Sequence, residues 1–133
     1  MDDQISIISY LNKVNSHLKH KSCKQSNQPK DFQVPNLATH ITFANELNKS
    51  EKLIDNHDKG IYLLGSTTPD IRVLTKEPRE KYHFVSLNFD NIGDGINNMM
   101  QQFPVLQDMS QTNQLKPFLA GYFSHLILDE TWI

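Results

Sequence analysis

With 133 residues, 38% of them hydrophobic and 21% charged, the chain can build one small core and little more. A formal net charge of −2 creates no field that would draw the whole surface to nucleic acid or an anionic membrane, so any anionic substrate must be met locally by metals or a few basic residues. Cys23 is the single cysteine, which excludes an intrachain disulfide framework and a thiolate zinc site; a metal would have to be held by His, Asp and Glu.

The start, MDDQISIISYLNKV, lacks the basic segment, long apolar run and small-residue cleavage site of a secretory signal, and no apolar stretch is long enough to span a bilayer. The expected compartment is the cytoplasm. Ile5, Ile8, Leu11, Val14 and Leu18 recur at helical steps, which predicts an amphipathic helix over residues 2–20, with His17 and His20 as surface histidines among lysines. Residues 21–34 are polar, contain Pro29 and read as a linker. Residues 1–34 are therefore expected to be an appendage to a helical domain at 35–133.

Asn36 is a good N-cap for LATHITFANELNKS, where Leu37, Ile41, Ala44 and Leu47 supply the periodicity and His40 lies beside the apolar face. The charged stretch 51–58 carries His57, which reads as a loop histidine. Ile61 to Leu64 is a short apolar run stopped by Gly65, and STTPD must turn, leaving Asp70 directly after a segment expected to be buried. Pro78-Arg79-Glu80 leads into Lys81-Tyr82-His83-Phe84, and His83 sits among aromatic residues. The acidic loop NFDNIGDG does not follow the EF-hand ligand spacing and is not read as a calcium site. Ile96, Met99, Met100 and Phe103 form a further helical face ending at Pro104, and Gln107 to Gln114 is a polar connection.

The last stretch, PFLAGYFSHLILDETWI, is the most apolar, yet it places His125 and Asp129 four residues apart. On a helix both point the same way. The stripe Leu115, Phe118, Tyr122, His125, Asp129 has steps of 3, 4, 3 and 4, so a core-facing seam turns polar at its C-terminal end. Two readings stand here: a core histidine bonded to a carbonyl with Asp129 paired to it, or a pair of metal ligands. Either way a buried carboxylate requires a partner. The chain stops at Trp132-Ile133 without a polar tail, which reads as a truncated fragment of a longer domain.

No strand alternation is sustained, and no phosphate-binding glycine loop or nucleophile elbow occurs; the expected class is all-α, with about five helices. His40, Asp70, His83, His125 and Asp129 are hard or borderline ligands offered from separate segments, a set suited to zinc. Two metal ions suit phosphoester hydrolysis, one activating water and the other neutralising developing charge.

In the blocks PNLATHITFANEL (35–47), GIYLLGSTTPDIRVLTKEPREKYHF (60–84) and FLAGYFSHLILDETW (118–132) the sequence resembles the zinc-dependent phospholipase C family. The resemblance implies a helical fold with zinc in a cleft. It implies His40 on one zinc, Asp70, His83 and His125 on another, and Asp129 bridging them, with Asp70 also orienting or deprotonating the attacking water. Arg72 and Glu130 are implied only as supporting residues beside these ligands. Secreted members of the family use a terminal tryptophan as a ligand and a downstream His/His/Glu set; here a polar segment precedes Pro35 and the downstream set is missing, so two zinc ions are expected rather than three. The implied activity is phosphodiester hydrolysis on a phospholipid or related phosphoester. The alternatives are a zinc-dependent single-strand nuclease, which would need base-stacking aromatics that the core stripes do not leave free, and a non-catalytic truncated helical module. A histidine-aspartate phosphohydrolase would need an adjacent His-Asp pair, and His57-Asp58 lies in a charged loop.

Overall fold

The computed structural model describes residues 35–109 and 115–133, and among them every regular element is helical. The expected helix at 2–20 with His17 and His20, the linker with Cys23, and residues 110–114 of the polar connection lie outside the described residues.

Helix α1, Leu37–Glu51, begins where the Asn36 side chain accepts hydrogen bonds from the Thr39 backbone N–H and hydroxyl at 3.0 and 3.1 Å, which satisfies one of the orphan donors of the first turn. It ends at Lys52, whose left-handed backbone (φ 49°) returns its N–H to the Asn48 carbonyl. The buried face is His40, Phe43, Ala44 and Leu47. This corrects the expected stripe: Leu37 is 52% exposed, and His40 lies on the stripe rather than beside it. The face is rotated because His40 stacks flat on the His125 ring, with centroids 3.5 Å apart and planes 5° from parallel. An imidazole thus forms part of the packing surface.

A short 3-10 turn, Asn56–Asp58, carries His57 outward, with its side chain 93% exposed, and leads into α2, Lys59–Thr67. The apolar run Ile61 to Leu64 is buried only in part, and Gly65 does not stop it: the helix continues to Thr67, Ile61 and Leu64 face out, and the buried positions are Tyr62, Gly65 and Ser66. The reason is helix α7, Leu115–Trp132, which packs on α2 almost backbone to backbone. A Cβ at Gly65 would lie 2.0 Å from the Phe118 carbonyl oxygen, and one at Gly121 would lie 1.9 Å from that of Tyr62. Only glycine fits at either position, so the small side of α2 faces inward. The Tyr62 hydroxyl then donates to the Ala44 carbonyl at 3.0 Å and ties α2 to α1.

From Gly121 to Glu130 every residue of α7 is buried. The expected one-sided seam is therefore replaced by a stretch enclosed all round, apolar except for the buried Ser124, His125, Asp129 and Glu130. Its neighbours are α1, α2, the 3-10 turn Thr68–Ile71 and the helix Asp94–Gln102; two short pieces, α3, Arg72–Thr75, and α4, Glu80–His83, pack on that turn. Helix α5, Asp94–Gln102, buries Ile96, Met99 and Met100 as expected, whereas Phe103 is 43% exposed and meets Phe84 edge-on; α6, Val105–Met109, follows. Among the described residues no helix is long and apolar enough to cross a membrane.

Candidate metal centre

Four segments deliver five groups to the polar end of α7. His40 comes from the first turn of α1, held there by its apolar neighbours Phe43, Ala44 and Leu47. Asp70 stands in the 3-10 turn after α2, where buried Pro69 stops the helix and the Thr67 and Thr68 hydroxyls donate to the Leu64 carbonyl. His83 is the last residue of α4, followed by Phe84 in the left-handed region (φ 61°), whose carbonyl accepts a hydrogen bond from Asn98 at 2.9 Å. His125 and Asp129 lie one turn apart on α7.

All five converge. His40, His83, His125 and Asp129 are each exposed by 1% or less, while the Asp70 side chain keeps 25% and marks the open side. His83 Nε2 lies 3.1 Å from Asp129 Oδ2 and 3.2 Å from His125 Nε2. Asp70 Oδ1 is 3.7 Å from His125 Nε2 and 3.9 Å from His83 Nε2. His125 Nε2 is 3.8 Å from Asp129 Oδ2. On the other side of the same carboxylate, His40 Nε2 is 3.2 Å from Asp129 Oδ1.

The protonation pattern follows from the packing. His125 Nδ1 lies 2.7 Å from the Ser66 carbonyl, one of the carbonyls in the last turn of α2 that have no partner within the helix. A carbonyl has no proton to give, so Nδ1 carries the hydrogen and Nε2 presents a lone pair. Burial first, and the neighbouring His40 second, lower the His125 pKa to about 3 against the opposing pull of Asp129. The ring is neutral at ordinary pH. Burial alone would push Asp129 up, but the imidazoles of His40, His83 and His125 outweigh it and hold the carboxyl well below the usual carboxylate range. An ionised carboxylate thus faces the Nε2 atoms of three histidines.

These groups are left with unmet demands. Both nitrogens of His40, Nδ1 of His83 and Oδ1 of Asp129 are buried without a hydrogen bond among the described residues; the 3.2 Å approach of His40 to Asp129 is off the line a hydrogen bond needs. Each such atom costs about 1–3 kcal/mol if nothing else binds it. A cation in the cluster would satisfy His40 Nε2 and Asp129 Oδ1, which face one another. Tetrahedral zinc, with bonds of about 2.0–2.1 Å, requires its donor atoms to be about 3.3–3.4 Å apart. Asp70 Oδ1, His83 Nε2, His125 Nε2 and Asp129 Oδ2 show five of their six mutual separations between 3.1 and 3.9 Å. Two overlapping triads, His40–His125–Asp129 and Asp70–His83–His125, each bring their donor atoms within 4.8 Å. The residues present could hold a metal.

Two further charged groups lie close by. Glu130 does not face the cluster: its carboxylate accepts the backbone N–H groups of Gly93 and Gly95, the latter at 2.8 Å, and so caps α5, where negative charge is favoured. Burial raises its pKa, against the lowering by those two N–H groups. Arg72 forms no ion pair among the described residues, and its Nε is buried without a partner. The guanidinium that reaches the cluster belongs to Arg79, whose Nη2 donates to Asp129 Oδ2 at 2.9 Å. The sequence reading passed over this residue. Its signal was available: Arg79 precedes His83 by four residues, the same helical spacing that marks His125 and Asp129.

The family model of the zinc-dependent phospholipases C matches residues 39–132, a span that contains all five convergent groups. The chain belongs to this family. Zinc dependence and a phospholipase C-like function in general come with that membership. No curated protein and no solved structure matches the chain.

Proposed function

We propose that the protein hydrolyses a phosphodiester in the manner of a phospholipase C. In this reading Asp70, His83, His125 and Asp129 would hold one zinc ion, while His40 and Asp129 would hold a second. The observation that carries the proposal is the convergence of three buried imidazole nitrogens and Asp70 on the two oxygens of one buried carboxylate, with His40 Nε2 and Asp129 Oδ1 left without a hydrogen bond. Zinc bound there supplies a Lewis acid for phosphoryl oxygen and lowers the pKa of water toward neutrality.

The chain's own groups do the rest. His125, neutral and fixed by Ser66, keeps its lone pair aimed inward without competing for a proton. Asp129, carried on the most deeply buried helix, offers its two oxygens in two directions. Asp70, the most exposed of the five, stands where substrate must enter. It orients the attacking water and accepts its proton as the new oxygen–phosphorus bond forms and the bond to the leaving oxygen breaks; the same proton then passes from Asp70 to that oxygen, so the alcohol departs neutral and Asp70 is regenerated. For a phospholipid the products are diacylglycerol and a phosphorylated head group.

Elemental analysis of the purified full chain should find two zinc per chain. The same samples should be assayed on phosphatidylcholine and on single-stranded DNA. Lipid hydrolysis that falls by about 10²–10⁴ in Asp70→Asn, with zinc content measured alongside, is the expected result. A protein without zinc, or one that cleaves DNA and leaves lipid intact, would sink the proposal.

A further inference from the structure

We infer that Arg79 is a positioning residue for metal binding: it pins one oxygen of Asp129 so that the carboxylate meets both sets of ligands before any cation arrives. The inference rests on the two-metal reading above and concerns a residue that reading does not use.

An aspartate carboxylate can swivel about its last torsion, whose preferences are broad. In a cluster of imidazoles, free rotation would let both oxygens drift to one side, leaving either His40 or the His83–His125 pair without its acceptor. Arg79 prevents this. Its Nη2 occupies one lone pair of Oδ2 at 2.9 Å, while the same oxygen faces His83 Nε2 at 3.1 Å and Oδ1 is left facing His40. The guanidinium side chain is only 10% exposed, so water does little to loosen the contact.

Arg79 is itself well fixed. It stands at the residue before α4, its carbonyl accepts the N–H of His83 at 2.9 Å, and one short turn therefore carries both the ligand and the group that orients its neighbour. The arrangement has an opposing term, because a guanidinium close to a zinc site repels the ion. Orientation outweighs repulsion here. Arg79 holds an oxygen that already faces ligand nitrogens, and partners hydrogen-bonded to metal ligands typically change metal affinity about 10–100-fold when removed.

The test is zinc titration of the metal-free full chain by calorimetry, with cobalt(II) absorption as a report on ligand geometry. Arg79→Gln should weaken zinc at least tenfold and alter the cobalt bands, and Arg79→Lys, which restores a charged donor, should recover most of the affinity. Zinc binding by Arg79→Gln that equals or exceeds that of the unmodified chain would overturn the inference. So would an Arg79→Lys variant as weak as Arg79→Gln. Should Arg79→Gln not fold, Asp129→Asn is compared with Asp129→Asn/Arg79→Gln, in which no charge is left buried alone. Equal residual zinc affinity in those two supports action through Asp129, and a further loss in the double variant refutes it. An unmodified chain that takes up no zinc fails the metal reading itself, whereas normal uptake with no effect of Arg79 fails only this inference.

Discussion

Gly121→Ala separates two physical effects by sign. Within a helix, alanine is favoured over glycine by about 1 kcal/mol, so on propensity alone the change stabilises. Tertiary packing predicts the opposite. The new methyl would lie 1.9 Å from the Tyr62 carbonyl oxygen and 2.8 Å from the Ser66 amide nitrogen, and both obstacles are backbone. Reaching the 3.0 Å floor of real contacts requires α2 and α7 to separate by about 1.1 Å, and no side chain can rotate away to avoid it. Overpacking of this kind costs about 1–3 kcal/mol and outweighs the propensity gain. The same movement stretches the 2.7 Å bond from His125 to the Ser66 carbonyl, which is what sets the His125 tautomer. Urea unfolding of the metal-free protein should therefore show a net loss of up to about 2 kcal/mol. Zinc affinity measured on the same variant should fall as well. A variant as stable as the unmodified chain, or more so, would refute the close helix crossing on which the placement of His125 depends.

Two further outcomes follow from groups outside the cluster. Glu130→Gln replaces a carboxylate bonded to two backbone N–H groups by an amide that can accept from only one side, and should cost about 2 kcal/mol in urea unfolding, the range of charged hydrogen bonds. Zinc stoichiometry should stay unchanged; a loss of zinc would mean that Glu130 serves the metal centre rather than α5. Tyr62→Phe removes the hydroxyl bond to Ala44 and should cost about 1 kcal/mol at neutral pH. Burial raises the Tyr62 pKa far above its ordinary value of 10.0, so above that pH the unfolded chain releases the proton and the folded one retains it. Stability is complete below pH 10 and declines as pH rises beyond it, less steeply in the phenylalanine variant. Tyr122, raised by burial in the same way, preserves part of the slope. Parallel pH profiles for the two proteins would contradict this account.

Much of the site was legible because its strongest signals are local. The His125–Asp129 spacing, the turn that frees Asp70, the Asn36 cap and the all-helical periodicity depend on residues within a turn or two of one another, and helix geometry makes those relations nearly independent of the rest of the chain. The order of candidate ligands, read with the family resemblance, named the five residues that converge. What failed was the assignment of faces. Leu37, Ile61 and Leu64 are apolar and were expected inside, but they turn outward.

The sequence by itself determined that the chain is helical, where α1, α5 and α7 lie and which side chains could bind a metal, since these follow from periodicity and donor chemistry; it missed α3 and α4, and it stopped α2 at Gly65, inside the helix. Only the tertiary structure decided which faces those helices bury and what each donor meets. Gly65 and Gly121 lie far apart in the chain, and nothing local shows that they bring two backbones together. That closeness presents the Ser66 carbonyl to His125, 59 positions away. Arg79 reaches Asp129 across 50 positions by the same kind of long-range packing. Such contacts depend on shape complementarity between surfaces formed after the helices exist, and no periodicity in the chain encodes them.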